Sequence, residues 1–318
     1  MSEPPPGHPV EAAWWSTDGH RWVRDSDTAF GPGALWTVAS GKGSLVAYGE
    51  SINALGHLGP GELWRSTDGG RRWVRSAAPA PPGVAQIVPA GNGFIAVGTD
   101  RSELDANPRG NAQDIRTRPK LWYLDAAGTW TEAAGGEAVF GLGEGVGVAK
   151  VGSVWVAAGR AQDNLAVAPS GARFWSSHDG RQWRAISAPP DGGAVPMALA
   201  SDGHHLVVTG AVPPGYGNPL EDHLATWTST GGRSWRFHPP AGALRSVAVS
   251  MARAGGRWLA IGAEVLESGD GVHWTALANS GLSNWAIAQP DAKVVLADTL
   301  EGPTAVQRWQ LLTWPPGG

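Results

Sequence analysis

The sequence predicts an all-β fold, a single β-propeller of four-stranded blades. Three observations predict it: a short hairpin motif that returns along the chain, an apolar strand pair that alternates with it, and a composition rich in turn formers and tryptophan. With 46 Gly, 25 Pro and 18 Trp in 318 residues, the chain is punctuated for many short strands joined by tight turns. Self-similarity at a spacing of about 40 to 55 residues is the mark of a repeat architecture.

The hairpin reads WWSTDGHRW (14 to 22), WRSTDGGRRW (64 to 73), WSSHDGRQW (175 to 183), WTSTGGRSW (227 to 235) and LESGDGVHW (266 to 274), with a degenerate copy WYLDAAGTW at 122 to 130. Each copy is a strand, a tight turn and a second strand that opens with Trp. Glycine supplies the positive φ of the turn, and an Asp carboxylate accepts from backbone N–H groups just after it. The closing Trp covers the hairpin with a large apolar face. Asp18, Asp68, Asp125, Asp179 and Asp270 are therefore expected to be turn clips rather than catalytic acids. Gly231 stands where the fourth copy should have its Asp.

Between hairpins lies an apolar pair such as LWTVASGKGSLVAYGE (35 to 50), VGVAKVGSVWVAAGR (146 to 160) or PMALASDGHHLVVTGA (196 to 211). Small and β-branched residues dominate it, as in strands buried on both faces. One inner pair plus one hairpin makes a blade. Six of each predict six blades, with the N-terminal hairpin (12 to 25) completing the C-terminal blade and closing the ring. The run TAVQRWQLLTW (304 to 314) keeps a seventh blade open as the alternative. The Pro-rich residues 1–11 read as a linker and 12–318 as the propeller domain.

The pattern S-x-D-x-G-x-x-W, met in full by Ser66, Asp68, Gly70 and Trp73, resembles the Asp-box (BNR) repeat of sialidase-like β-propellers. Copies ending at Trp22, Trp183 and Trp274 are one residue shorter between Asp and Trp. The resemblance implies the propeller scaffold over essentially the whole chain. It says little of activity, since such repeats serve hydrolases, carbohydrate binders and assembly factors alike. The sialidase catalytic motifs that it would imply are missing: there is no R-I-P motif, no arginine triad, and of Tyr48, Tyr123 and Tyr216 only Tyr216 lies on a suitable loop, near Glu221.

In a propeller all the hairpin turns fall on one face, and the links between second and third strands on the other. Those links are unequal: 50 to 62, 99 to 120, 160 to 172 and 211 to 223 are long, while the fifth is almost absent. Loops on a rigid scaffold carry function, so the loop-rich face is the expected functional face. Repeat register places Glu50, Asp100, Arg160 and Asp298 just past the second strands, and Trp36, Gln86, Gly145, Met197 and Trp285 at the starts of the inner strands, with Arg245 nearby. Ring closure would gather Trp36, Trp285, Glu50 and Asp298 at one seam below His57. Aromatic faces beside carboxylates hold sugars or cationic ligands. The ligand-binding candidates are thus Trp36, Trp285, His57, Arg160, Arg245 and Tyr216. Glu50, Asp298, Asp100 and Glu221 are the candidates for acid and base work in glycoside hydrolysis. The plainer alternatives are strand-end charges in water and tryptophans packed as core.

A formal charge of −4 and a pI near 6.1 argue against a nucleic-acid partner. The absence of cysteine removes disulfides and thiolate sites. No run is long and apolar enough for a membrane-spanning helix. No His pair has metal-site spacing, so no cofactor is expected beyond a structural Ca²⁺ held by loop carbonyls. The expected molecule is a monomer that binds a glycan, small molecule, peptide or protein. Alternatives are a glycoside hydrolase or lyase and, less directly, a small-molecule biosynthetic enzyme. A leader removed from the N-terminus would make it extracytoplasmic; otherwise the compartment is cytoplasmic.

Overall fold

The computed structural model describes residues 14–15, 23–24, 30, 33–41, 43–52, 58–103, 111–164, 166, 169–212, 223–240, 244, 250–262, 264–279, 286–288, 293–296 and 310–313. It is an all-β propeller of four-stranded blades, with one short helix among the described residues, Gly136–Phe140. A hairpin pair, β1 (Trp14–Trp15) and β2 (Val23–Arg24), precedes the blades. Blade one is β3 (Gly33–Gly41), β4 (Ser44–Ile52), β5 (Leu58–Ser66) and β6 (Val74–Arg75). Blade two is β7 (Val84–Ala90), β8 (Gly93–Asp100), β9 (Arg118–Leu124) and β10 (Trp130–Glu132). Blade three is β11 (Gly143–Val151), β12 (Val154–Ala161), β13 (Ser170–Ser177) and β14 (Arg184–Ile186). Blade four is β15 (Val195–Ser201), β16 (His205–Val212), β17 (His223–Thr230) and β18 (Arg236–His238). Blade five is β19 (Ser250–Ala254), β20 (Arg257–Ile261), β21 (Glu264–Ser268) and β22 (Trp274–Asn279).

The structure corrects the expected blade number. Among the described residues five sheets have four strands, not six or seven. The remaining C-terminal strands, β23 (Ala286–Ala288), β24 (Lys293–Leu296) and β25 (Gln310–Thr313), form a three-stranded sheet. Here β25 pairs with the edge of β24 that the N-terminal hairpin was expected to fill, and among the described residues β1 and β2 pair only with each other. A strand close in sequence closes a far smaller loop than one from the opposite end of the chain, so it wins the edge at lower entropic cost.

Every blade is an antiparallel meander, and the first strands of successive blades touch one another, which makes them the inner ring. The core lies between blades rather than in a central mass. Ile95, Val97 and Leu121 of blade two meet Val148, Trp155, Ala157 and Trp175 of blade three, and Val156, Ala158 and Phe174 meet Leu199, Leu206, Val208 and Trp227 of blade four. That explains why β8, β12 and β16 are buried almost throughout, on both faces. The third strand of blades one to four carries a buried Trp at one position, Trp64, Trp122, Trp175 and Trp227, which Leu266 replaces in blade five.

Each inner strand of blades one to four carries a bulge at the same height, between Leu35 and Thr37, Val84 and Gln86, Gly145 and Gly147, and Pro196 and Ala198. The bulged residues are therefore Trp36, Ala85, Val146 and Met197. Gln86 and Gly145 sit one place off the expected register. Opposite the bulge the second strand must be glycine: a methyl group on Gly98 would run into the Gly83 carbonyl, and one on Gly159 into Glu144 O and the Trp175 ring. A bulge bends the strand and re-aims its side chain, which is how this fold individualises the end of the inner ring.

Candidate functional site

The hairpin turns are clips of one design. In blade one, Ser66 Oγ donates to Asp68 Oδ1 at 2.9 Å and accepts from Gly70 N at 2.9 Å. Asp68 Oδ1 also accepts from the amides of Arg71 and Arg72 at 3.1 and 2.9 Å, and Trp73 Nε1 donates to Gly70 O at 3.1 Å. Blade three repeats all of this with Ser177, Asp179, Gly180, Arg181, Gln182 and Trp183. Blade five repeats the Ser268–Asp270–Gly271 part. The amide of Arg72, helped by Ser66, holds the Asp68 carboxyl below its ordinary range, and the amides of Gln182 and Arg181 do the same for Asp179. These carboxylates are spent on the turn. In blade four, where Gly231 replaces Asp, Ser229 Oγ reaches Ser234 O at 2.6 Å and Gly231 N donates to His204 O at 3.3 Å.

In blades three, four and five the turn also latches the blade to the one before it. Gly180, Gly232 and Gly271 have φ of 74, 74 and 77°. They lie against Ile95, Val156 and Val207, which occupy one register position in the second strands of blades two, three and four. Glycine is needed there twice over, for the left-handed backbone and for the close approach.

On the opposite face, the expected carboxylates and arginine are in different states. Glu50 is 1% exposed. It is bound through both oxygens by Arg101 Nη2 at 2.8 Å and accepts from Gly83 N at 2.6 Å and Tyr48 Oη at 3.1 Å. Tyr48 is itself buried and held by the backbone of the second blade, its one hydroxyl proton shared between Glu50 and Pro81 O, 2.9 Å away, while its oxygen accepts from Val84 N at 3.3 Å. Burial and the adjacent Glu50 charge push the Tyr48 phenol well above its ordinary range. The group is a charged tie between blades one and two.

Asp100 is partly exposed, 3.9 Å from Lys120 Nζ, and accepts from Ser102 N at 2.9 Å. Burial works against its charge, but the Ser102 hydrogen bonds and the Lys120 and Arg118 charges outweigh it and hold the carboxyl below its ordinary value. Arg160 pairs with Glu144 at the foot of its own blade, with Nε 2.6 Å from Oε2, and its Nη1 lies 3.4 Å from Met197 Sδ of the next blade. Trp36 is half-buried against the cluster shared by blades one and two, which includes Tyr48, Leu63 and Phe94.

Six candidates, His57, Tyr216, Glu221, Arg245, Trp285 and Asp298, lie outside the described residues, and with them most of the expected seam. Sequence reasoning missed Arg101 and Glu144, the partners of its own candidates. A signal existed for both: Arg101 follows Asp100 at the second-strand end, and Glu144 opens an inner strand whose equivalents are uncharged. Gln86 was placed near the mouth; its Oε1 accepts from Val148 N at 2.7 Å, bridging the inner strands of blades two and three. Among the described residues no group of three or more His, Asp or Glu is placed to hold a metal ion, and no helix is long and apolar enough to cross a membrane.

No protein-family model matches the chain, and no curated protein matches it. Solved structures do. The GH93 α-L-arabinofuranosidase of Fusarium graminearum in complex with arabinobiose matches at 12% identity and a TM-score of 0.55, over 91% of this chain and 96% of that one. YCF48 bound to D1 peptide matches at 14% and 0.54, over 94% and 84%. The sialidase of Trypanosoma rangeli matches at 13% and 0.55, over 88% of this chain and 54% of its own. At these identities the likeness is one of fold: the chain is a β-propeller, as these structures are.

Proposed function

We propose that this chain is a non-catalytic binding propeller that takes a glycan, peptide or protein segment on its loop-rich face. The observation that carries the reading is the state of Glu50. A general acid or base must come within hydrogen-bonding reach of a substrate. Glu50, at 1% exposure and bonded by Arg101, Gly83 and Tyr48, spends its carboxylate on holding two blades together. Arg160 and Asp100 are partly exposed and leave polar edges for recognition, and a structural neighbour of the chain, YCF48, is bound to a peptide. The Ser–Asp–Gly–Trp turns support reading the repeat as the Asp box. A second reading, a carbohydrate-active enzyme, is favoured by the sugar-cleaving activities of the arabinofuranosidase and the sialidase; with Glu50 sealed, it would rest on Asp298, Glu221 and the partly exposed Asp100.

Purified protein screened on glycan and peptide arrays and against a panel of chromogenic glycosides separates the two. Array binding that falls about tenfold in Arg160→Gln, the loss of one charged hydrogen bond, with no glycoside turned over, is the expected result. Turnover abolished by Asp298→Asn or Glu221→Gln would establish the enzyme instead.

A further inference from the structure

We propose a second site, on the hairpin-turn face, where the cleft between blades two and three binds an acidic saccharide. The cleft has a volume of about 400 Å³ and is lined by Ala90, Gly91, Tyr123, Lys150, Trp155, Asp179 and Arg181. Its size falls in the range of small-molecule sites, about 300 to 1,000 Å³. The Arg181 guanidinium lies 4.5 Å from the centre of the Tyr123 ring, and Lys150 Nζ lies 5.4 Å from that of Trp155. Both cations are exposed, and no carboxylate among the described residues pairs with either head. Stacking on a ring orients a cation without neutralising it, so the cleft presents two fixed and unspent positive groups.

Asp179 narrows the ligand further. Its Oδ1 is taken up by Ser177 and by the amides of Arg181 and Gln182. Oδ2 has no protein donor among the described residues, and Asp179 is one of the residues that line the cleft. A bare phosphate or sulfate would meet this oxygen with repulsion. A ligand that brings an anionic group to Arg181 and Lys150 and a hydroxyl to Asp179 satisfies all three, and that combination describes a carboxylated or sulfated sugar.

The fold does not require these residues. In the matching cleft between blades four and five the cation over a ring returns, with Arg253 at 4.9 Å from Trp258, and Trp274 also lies close by. But Thr228 stands in the place of Tyr123, and Val272 in the place of Arg181. Among the described residues only the cleft between blades two and three combines both pairs. The turn glycine that latches these blades, Gly180, fixes the backbone on which Arg181 stands.

The test is isothermal titration of the full chain with trigalacturonate, a sulfated chondroitin disaccharide, maltotriose and sodium sulfate. The expected result is binding of trigalacturonate or the sulfated disaccharide, the stronger of the two identifying the anionic group. Arg181→Gln and Lys150→Gln should each weaken it about tenfold or more, while Arg233→Gln, at an exposed arginine of the blade-four turn outside the cleft, leaves it unchanged. Both substituted side chains are exposed, and an unchanged melting temperature verifies the fold. The proposal is overturned if neither acidic sugar binds, if maltotriose or sulfate alone binds as well as they do, or if the two variants bind like the parent. Loss of array binding on the loop-rich face has no bearing on these outcomes, so the two readings fail separately.

Discussion

The two faces of this propeller are built from the same strands, yet one repeats its chemistry and the other does not. On the hairpin-turn face Asp68, Asp179 and Asp270 accept the same amides at the same turn positions. On the loop-rich face each blade ends differently: Glu50 is sealed under Arg101, Asp100 stands near Lys120, and Arg160 pairs with Glu144. Repetition marks what serves the scaffold from blade to blade. Its absence marks what belongs to one place, and by the same rule the cleft at Tyr123 and Arg181 stands out on a face whose turns in blades one, three and five share one clip.

The largest loss should come from the core that both faces hang on. Trp175 is 1% exposed, meets Phe140 edge-on at 5.6 Å and donates from Nε1 to Val139 O at 3.0 Å. Trp175→Ala is expected to cost about 3 to 5 kcal/mol in denaturant unfolding. A cost under about 1 kcal/mol would mean the blades are held chiefly by their faces.

The charged pairs of the loop-rich face should separate by burial. Glu50→Gln removes the anion from a buried knot and leaves Arg101 without its partner, so about 3 kcal/mol is expected. Glu144→Gln breaks a pair whose side chains are each 24% exposed, where water screens the charges, and about 1 kcal/mol or less is expected. Urea melts of the two variants make the comparison, and equal costs would remove the distinction between a blade tie and a surface pair.

How much of this was legible in the sequence follows the same division. The hairpin turns were readable because Ser, Asp, Gly and Trp act locally, within a few residues of one another. Blade pairing through β8, β12 and β16 was readable because strands buried on both faces lose their polar alternation. The partner of Glu50 was not, since Arg101 lies 51 positions away and only the packing of blade two on blade one brings them together; Glu144, paired across strands with Arg160, lay within reach of the register and was overlooked. Ring closure failed for a similar reason: register arithmetic assigned the last edge to residues 12 to 25, and a nearer strand took it. The bulge shifted Gln86 and Gly145 by one place because a single unpaired residue leaves no mark on composition.

A glycine pair tests the latch. Gly69 and Gly180 have φ of 77 and 74°, but only Gly180 lies against the preceding blade, while nothing lies within 4 Å of a Cβ on Gly69. Gly69→Ala should cost about 1 kcal/mol for the backbone alone. Gly180→Ala adds the collision with Ile95 and should cost about 2 to 3 kcal/mol. Matching values in thermal melts would show that the turn closes its own hairpin without bracing its neighbour.

The smallest effect is the most local. The amides of Gln182 and Arg181, with Ser177, hold the Asp179 carboxyl below its ordinary range, so folding favours the ionised form. That contribution is complete above the unfolded carboxyl value of about 3.9 and is lost as pH falls through the lower folded value. Protection factors for the Gln182 amide, corrected for intrinsic exchange, should therefore drop in acid below about pH 4, together with those of Arg72 and His273 at the sister turns. In Asp179→Asn the Gln182 amide should be weakly protected at every pH, because an amide oxygen accepts less strongly than a carboxylate and does not titrate there. Arg72 and His273 should keep their full acid response in the same molecule. If all three amides lose it together, the turns are not independent clips but one coupled ring, and the uniform face would be cooperative rather than merely repeated.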